Sequence, residues 1–519
     1  MLLGPRTAYT RSYGVACENP LACEVGFSVL REGGNAADAS VALSLALSVV
    51  VPHLGGIGGD FFALIHEGVG KPSVLNASGW SPRGLTREAL TSRGLTSMPA
   101  RGPLSITVPG MLAGLYELWR RYGSLEWRKL VEPAAKLARG FPAHRALVAS
   151  FTYSRELLES DPGSREEILS RAPEHPWQLF SLPSLARVLE EVAEDPRVFY
   201  EGWIAERIVS YVRERGGLLD KSDLSEYSPL WMEPLSIERS GWILYEMPPN
   251  TQGATTLHIV SALPEAGLRT AGPPLFRHIM DAAPPAYEYR DRFLGDPESV
   301  SELLGSLNNV VSRETLELIA LRAAEYSGRP CHYPGNTLPA PQRSDTTFFV
   351  VRDSEGMTIA GIQSLFNHWG SGLTVPGLGV TLNNRASGFT LEPGLPNTVG
   401  PRKRPLHTLS AVSAVRGEEL VVLGTSGGHY RPQQHAMMLV PILYSGAGAG
   451  EAIAMPRLLW RPGTCEAVAD GPGSHVAEAL GLSVRQGRTG VAAALRVWPG
   501  GVVEISSDPR GDGFPQVAP

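Results

Sequence analysis

Near the front of the chain, apolar residues recur at helical spacing. Leu21 to Leu30 holds that period and stops at Glu32-Gly33-Gly34. Asn35-Ala36-Ala37-Asp38 opens a second run that continues to about Val50 and is ended by Pro52. A short polar residue at the entry and a proline past the exit are helix boundary signals. HLGGIGGD (His53 to Asp60) then leads into an apolar strand, Phe61 to Ile65. Two nearly continuous apolar helices beside a strand predict a helix layer packed on a sheet. From about Val108 to Ala320 helical spacing dominates, as in Met111 to Tyr122, Trp127 to Arg139 and Pro183 to Val192, with one β-like piece at Trp242 to Met247.

Residues 328–343 (GRPCHYPGNTLPAPQR) are rich in proline, glycine and polar side chains, the composition of a linker. After it the pattern turns to strands. Phe348 to Arg352, Met357 to Leu365, Leu373 to Leu382, Leu409 to Val415 and Leu420 to Leu423 follow at short intervals with glycine turns. Helices are expected from near Pro432 to Tyr444 and over His475 to Leu480. Ala493 to Val497 and Val502 to Ile505 flank Pro499-Gly500-Gly501 as a closing hairpin.

Asp345-Thr346-Thr347 stands where the linker meets the first of these strands. A threonine there serves β-propensity. It also has a chemical use. If the chain cuts itself before Thr346, one residue supplies a hydroxyl nucleophile and a free α-amine as its base.

Composition narrows the field. The chain has 519 residues, 43% hydrophobic and 19% charged, as in soluble globular proteins with a large core. Its net charge of −6 points neither to nucleic acid nor to an anionic membrane. Lysine occurs at only five positions, so nearly all positive charge is arginine. The four cysteines, Cys17, Cys23, Cys331 and Cys465, have neither CxxC nor Cys/His metal spacing, so no zinc site and no disulfide scaffold is expected, though one bridge is compatible with the number. The N-terminal residues lack the pattern of a secretory signal, and the longest apolar stretch, Val41 to Val51, is too short to span a bilayer. The expected location is cytoplasmic, without membrane or nucleic-acid partners.

Gly424-Thr425-Ser426-Gly427-Gly428 ends an apolar strand and precedes a helix. It reads as a nucleophile elbow at Ser426, with Asp470 and His475 as the acid and base available, or as a plain turn. It also reads as an oxyanion hole in which Gly427 and Gly428 present bare backbone N–H groups, a device that contributes about 3–4 kcal/mol of transition-state stabilisation. His368, His407, His429 and His435 fit no metal motif, and HLGGIGGD is not a nucleotide fingerprint. No cofactor is expected.

Taken together, ordered segments along nearly the whole chain resemble the γ-glutamyltranspeptidase family of N-terminal-nucleophile hydrolases. They are Asn19-Pro20-Leu21-Ala22, Glu32 to Phe62, Val108 to Leu115 with Arg121 to Ser124, Met247-Pro248-Pro249, SDTTFFVVRDSEG, WGSGL, LNNR, KRPLHTLS, GTSGG and Asp508-Pro509-Arg510. The resemblance implies an α/β fold, a four-layer αββα sandwich with a largely helical insertion in the first half. It implies a precursor cut at Asp345/Thr346 into a large subunit, residues 1–345, and a small one, residues 346–519. These fragments of one precursor would remain partners, and a homo-oligomer is compatible with the sequence. Thr346 takes the nucleophile's place, Ser364 that of a supporting threonine, and Gly427 and Gly428 those of the oxyanion-hole glycines.

The departures fall where the family reads its substrate. The arginine that holds a γ-glutamyl α-carboxylate corresponds to Ser78. The asparagine and acid that hold the α-amine correspond to Phe366 and Gly388, and the paired serines to His407 and Thr408. The stretch from Phe389 to Lys403 is short, so the lid loop over the site is expected to be missing. Arg385, beside Asn384, lies where the family has a neutral side chain and is the candidate replacement cation; Ser78, Asn384, Arg385, His407 and Thr408 form the expected substrate wall. The implied activity is that of a self-processing threonine amidohydrolase or acyltransferase acting on a γ-glutamyl, glutathione-like compound. Two alternatives stand beside it: an acylase of the cephalosporin-acylase type working on another small amide, and an inert scaffold of the same fold.

Overall fold

A computed structural model describes residues 4–269, 272–326, 345–461, 464, 466–480, 482–487 and 489–519. The expected linker, 328–343, lies outside these residues, as do Cys331 and Cys465.

Two seven-stranded antiparallel sheets form the centre. The first runs, edge to edge, Gln516–Val517, Gly14–Cys17, Asp345–Arg352, Met357–Phe366, Asp60–Glu67, Ser73–Ala77, Leu230–Met232. The second runs Arg6–Thr10, Val503–Ser507, Ala492–Val497, Glu419–Thr425, Val412–Arg416, Trp242–Glu246, Leu235–Arg239.

Alternation along each strand makes the layers. Phe348, Val350, Ile362, Phe62 and Leu64 turn inward and meet Leu420, Val422, Ala493, Leu495 and Ile505 of the second sheet. Their neighbours Phe349, Val351, Phe61, Ala63 and Ile65 turn outward and bury against the helices Pro20–Arg31, Ala36–Val50 and Met111–Tyr122. On the far side Leu244, Val412, Ala414, Val421 and Leu423 pack on Gly253–Ala262, Pro273–Phe293 and Arg431–Tyr444. The result is the four-layer sandwich. Each such large apolar side chain contributes about 1.5–3 kcal/mol on burial.

Helix Ala36–Val50 shows why the front of the chain folds as it does. Asn35 and Asp38 form a reciprocal capping box, and all its residues are buried. The first turn is also tied to the second half of the chain, because Ala36 N–H donates to Asp353 Oδ2 at 2.9 Å.

Two expectations need correction. Leu373 to Leu382 is not one strand but a tight pair, Thr374–Val375 and Val380–Thr381. Pro376 cannot donate to a ladder, and Gly377 and Gly379 turn back with φ of 77° and 64°. The run is apolar because Leu373, Val375, Leu378, Val380 and Leu382 belong to the core under the first sheet. The β-like piece at Trp242 is accompanied by two further strands, Leu230–Met232 and Leu235–Arg239, in a region that reads as helical. The one bridge that the cysteine number allows is present among the described residues: Cys17 and Cys23 are joined by a disulfide, which ties strand Gly14–Cys17 to helix Pro20–Arg31. No described helix is long and apolar enough to cross a membrane.

Candidate active site

Thr346 lies at the start of the third strand of the first sheet. The pairing shifts register there: Asp345 opposes Phe366, and Thr347 opposes Gln363. Alternation places Thr346 on the inward face with Phe348 and Val350, and Thr347 on the outward face with Phe349. Thr346 is 2% exposed; Thr347 is fully buried, and its hydroxyl has no hydrogen-bond partner among the described residues. Of the two threonines, only the first faces the space between the sheets. Asp345 opens the strand. Ser364, on the neighbouring strand opposite Asp60, accepts from Phe366 N–H at 2.8 Å.

The glycine turn comes from the other sheet. Strand Glu419–Thr425 delivers it, and the Phe348 ring occupies the space where a Cβ on Gly424 would sit. This contact brings the turn alongside the strand that carries Thr346. Gly428 has φ of 51°, a left-handed conformation that glycine adopts at little cost. A Cβ on Gly427 would collide with the carboxamide oxygen of Gln434. The N–H groups of Gly427 and Gly428 donate to no acceptor among the described residues. Gln252 Nε2 fixes the turn from behind by donating to Gly428 O at 2.7 Å and Thr408 O at 3.1 Å.

The elbow reading of this turn does not assemble. Ser426 Oγ accepts from Val491 N–H at 2.7 Å. Asp470 caps helix Gly471–Ala479 and pairs with Arg510, and His475 sits on that helix with its side chain 84% exposed.

Opposite the turn lies a buried charge network. Asp60 ends the HLGGIGGD segment and begins its strand. Its carboxylate accepts from Gly79 N–H at 2.7 Å, Arg385 Nε at 3.3 Å and His407 Nε2 at 3.0 Å. His407 Nδ1 accepts from Leu409 N–H at 3.2 Å, so its proton is on Nε2. Burial, reinforced by the Arg385 charge, lowers the His407 pKa to about 3, and the ring is neutral.

Arg385 is fully buried. Its Nη1 reaches Thr408 Oγ1 at 3.5 Å, while its Nη2 has no hydrogen-bond partner among the described residues. Its guanidinium carbon lies 4.1 Å from the centre of the Phe366 ring. Phe366 holds φ of 85°, a strained conformation that costs on the order of 1–3 kcal/mol. Arg431 is also fully buried. Its Nε donates to Thr425 O at 2.7 Å, and neither Nη has a partner among the described residues. Burial pulls Arg385 down to about 10 and Arg431 to about 9, so both remain charged at neutral pH. A buried guanidinium with idle donors is costly unless an anion completes it.

The remaining expected wall residues are close by but engaged. Ser78 Oγ donates to Asn76 Oδ1 at 2.7 Å and accepts from Asn250 Nδ2 at 3.2 Å. Asn384 accepts from Asn367 N–H at 3.1 Å and donates to Ala100 O at 2.8 Å. His407 faces Asp60. Thr408 meets both Arg385 and, through its carbonyl, Gln252.

The sequence does not single out Asp60, Gln252, Arg290 or Arg431, and shows His429 only as one of several histidines. Asp60 had a signal, the acid closing a glycine-rich segment before a strand. The others lie on ordinary helices or turns and acquire their roles only through tertiary contact.

The sequence pattern of a family described as gamma-glutamyltranspeptidase matches residues 22–518. A glutathione hydrolase-like YwrD proenzyme of Bacillus subtilis is 32% identical over 95% of this chain and 96% of that protein. An oxamate amidohydrolase proenzyme of Klebsiella pneumoniae is 29% identical over 95% and 96%. The crystal structure of cephalosporin acylase from Bacillus halodurans superposes with a TM-score of 0.85 at 27% identity, covering 99% of this chain and 97% of that one.

Proposed function

The chain belongs to the gamma-glutamyltranspeptidase family of enzymes, and from that premise we propose that Thr346 is its nucleophile and that its acyl substrates carry a carboxylate held by Arg385. The chain cuts itself between Asp345 and Thr346. The freed α-amine of Thr346 takes the proton from Oγ as Oγ attacks the amide carbonyl carbon, and the carbonyl electron pair moves onto oxygen beside the Gly427 and Gly428 N–H groups. Collapse expels the amine, which receives the proton, and leaves an ester on Thr346. Water or a second amine then takes the acyl group by the reverse path. Ser364, on the adjacent strand, supports the nucleophile.

The observation that carries the substrate side is the idle Nη2 of the buried Arg385. The reading also draws support from the charge balance. Asp60 already accepts three hydrogen bonds, and Glu246 is hydrogen-bonded to His435 Nδ1 and accepts from Met247 N–H. Neither is left over to read the α-amine of a γ-glutamyl head, whereas a carboxylate would meet Arg385 with Arg431 contributing to the same positive field. Amides of acidic acyl groups without an α-amine, such as glutaryl, therefore fit better than γ-glutamyl compounds. The names of the relatives span both kinds, glutathione and oxamate.

A release assay across glutaryl, γ-glutamyl and butyryl p-nitroanilides tests this. The expected order is glutaryl first and butyryl last. A γ-glutamyl preference, or equal rates for glutaryl and butyryl, would overturn the substrate assignment.

A further inference from the structure

Arg290, from helix Pro273–Phe293, is fully buried and places Nη1 3.1 Å from Nδ1 of His429. A guanidinium has only donors, so Nδ1 is the acceptor and the ring proton sits on Nε2. Nε2 itself makes no hydrogen bond among the described residues. The same Arg290 Nη1 donates to Gln252 Oε1 at 3.0 Å, and Gln252 Nε2 donates to Gly428 O. Tyr287, one turn earlier on the helix, donates its hydroxyl to His429 O. Arg290, Gln252 and Tyr287 thus fix the backbone turn and the imidazole together. Three consecutive residues then carry N–H donors without acceptors: Gly427 N–H, Gly428 N–H and His429 Nε2–H.

We propose that His429 is a catalytic residue, a neutral imidazole whose Nε2–H is a third donor to the oxyanion formed on Thr346, with Arg290 as the positioning residue that fixes its tautomer. This rests on the assignment of Thr346 and the glycine turn above. A neutral ring suits the task. Its donor strength is independent of pH only if it does not titrate in the working range, and the surroundings secure that. The charges around it are Arg290 from the helix, itself paired with Asp291, Arg385 near the substrate wall and Arg431 two residues on, with the Tyr287 and Tyr430 hydroxyls as further titratable neighbours. Burial first, then these cations, hold the ring well below its ordinary pKa. The sequence signal is modest, a histidine directly after two glycines, and its meaning depends on an arginine about 140 positions earlier.

Two measurements on the full-length processed protein test this. With glutaryl and γ-glutamyl p-nitroanilide as probes, His429→Ala should lower kcat about 10²-fold and change KM less than about threefold, the loss typical of one oxyanion donor. His429→Gln, which keeps an N–H, should recover at least about tenfold. A kcat within about threefold of wild type, or a change confined to KM, would overturn the proposal. The second readout needs no turnover and serves where a variant fails to fold. Ring ¹⁵N NMR of the wild type should show His429 as the Nε2–H tautomer without titration from about pH 5 to 9, and Arg290→Met, which removes the donor to Nδ1 while burial keeps the ring neutral, should let the Nδ1–H tautomer appear. A wild-type proton on Nδ1, a wild-type ring that titrates in that range, or an unchanged tautomer in Arg290→Met would overturn it. The underlying reading fails separately. If Thr346→Ala keeps full turnover, the nucleophile assignment falls. If Thr346→Ala is dead and His429→Ala fully active, only the third donor falls.

Discussion

Thr346 and the Gly427–Gly428 turn are held by backbone: a strand entrance in one sheet and a strand exit in the other, brought together where Phe348 fills the space beside Gly424. Arg385 and His407 are held by side chains. The acid they share, Asp60, comes from a segment hundreds of positions away. The two regions therefore respond differently to substitution. Ladder hydrogen bonds do not depend on side-chain identity, so the frame of the proposed reaction centre tolerates substitution around it. A side-chain network changes meaning with one residue, so substrate choice can be rewritten on an unchanged frame.

The comparison breaks most sharply at the nucleophile. Thr346→Ala should abolish fragment formation on a denaturing gel and lower kcat by about 10⁴-fold or more, since nucleophile and base are lost together. Cleavage or turnover that survives would remove Thr346 from the site. Next comes the turn. Gly427→Ala drives a Cβ into Gln434, and kcat should fall about 10²–10³-fold with little change in KM. Adding Gln434→Ala should return part of that rate, because the obstacle is one side chain; no recovery would mean the backbone conformation itself needs glycine.

The recognition side should lose affinity and keep rate. Arg385→Ala should raise KM for a glutaryl anilide about 10–100-fold, the cost of a charged hydrogen bond of about 1.5–3 kcal/mol, and leave the butyryl anilide within about threefold. Equal effects on both would mean that Arg385 only supports Asp60. The smallest effect is on stability. Burial lowers His66 and His258 to about 4 and His407 to about 3. Between about pH 6.5 and 4 the unfolded chain therefore binds more protons than the folded one, and stability falls as pH falls. Each such histidine contributes a slope of up to about 1.4 kcal/mol per pH unit, and Glu246, whose pKa burial raises, acts in the opposite direction. Urea unfolding at pH 6.5 and 4.5 measures this. A higher midpoint at pH 4.5 would contradict the buried neutral rings.

What could be read from the sequence follows the same division. Helix Ala36–Val50 was visible because its caps are local and its burial is continuous. Strand Asp345–Arg352 and the glycine turn were visible because alternation and glycine placement are local too. Strand Leu235–Arg239 was not, because its inward residues are few and its pairing partner, Trp242–Glu246, supplies most of the signal. Arg385 was singled out, but its fully buried state, its ring contact with Phe366 and its shared acid Asp60 are tertiary facts. Arg290 and Arg431 read as ordinary helical arginines; nothing within a few positions of either distinguishes them from solvated ones.

The order of strands has one more consequence. Gly14–Cys17, from before the proposed cut, lies between Gln516–Val517 and Asp345–Arg352, from after it, and Arg6–Thr10 closes the other sheet on Val503–Ser507. Asp60–Glu67 and Trp242–Glu246 lie beside strands of the later part in the same way. A chain severed before Thr346 is thus woven rather than docked. Dilution would not part the two fragments, since release requires tearing rows of backbone hydrogen bonds out of both sheets at once. Assembly has to precede scission, and a pair of separately made fragments would have to rebuild the weave strand by strand.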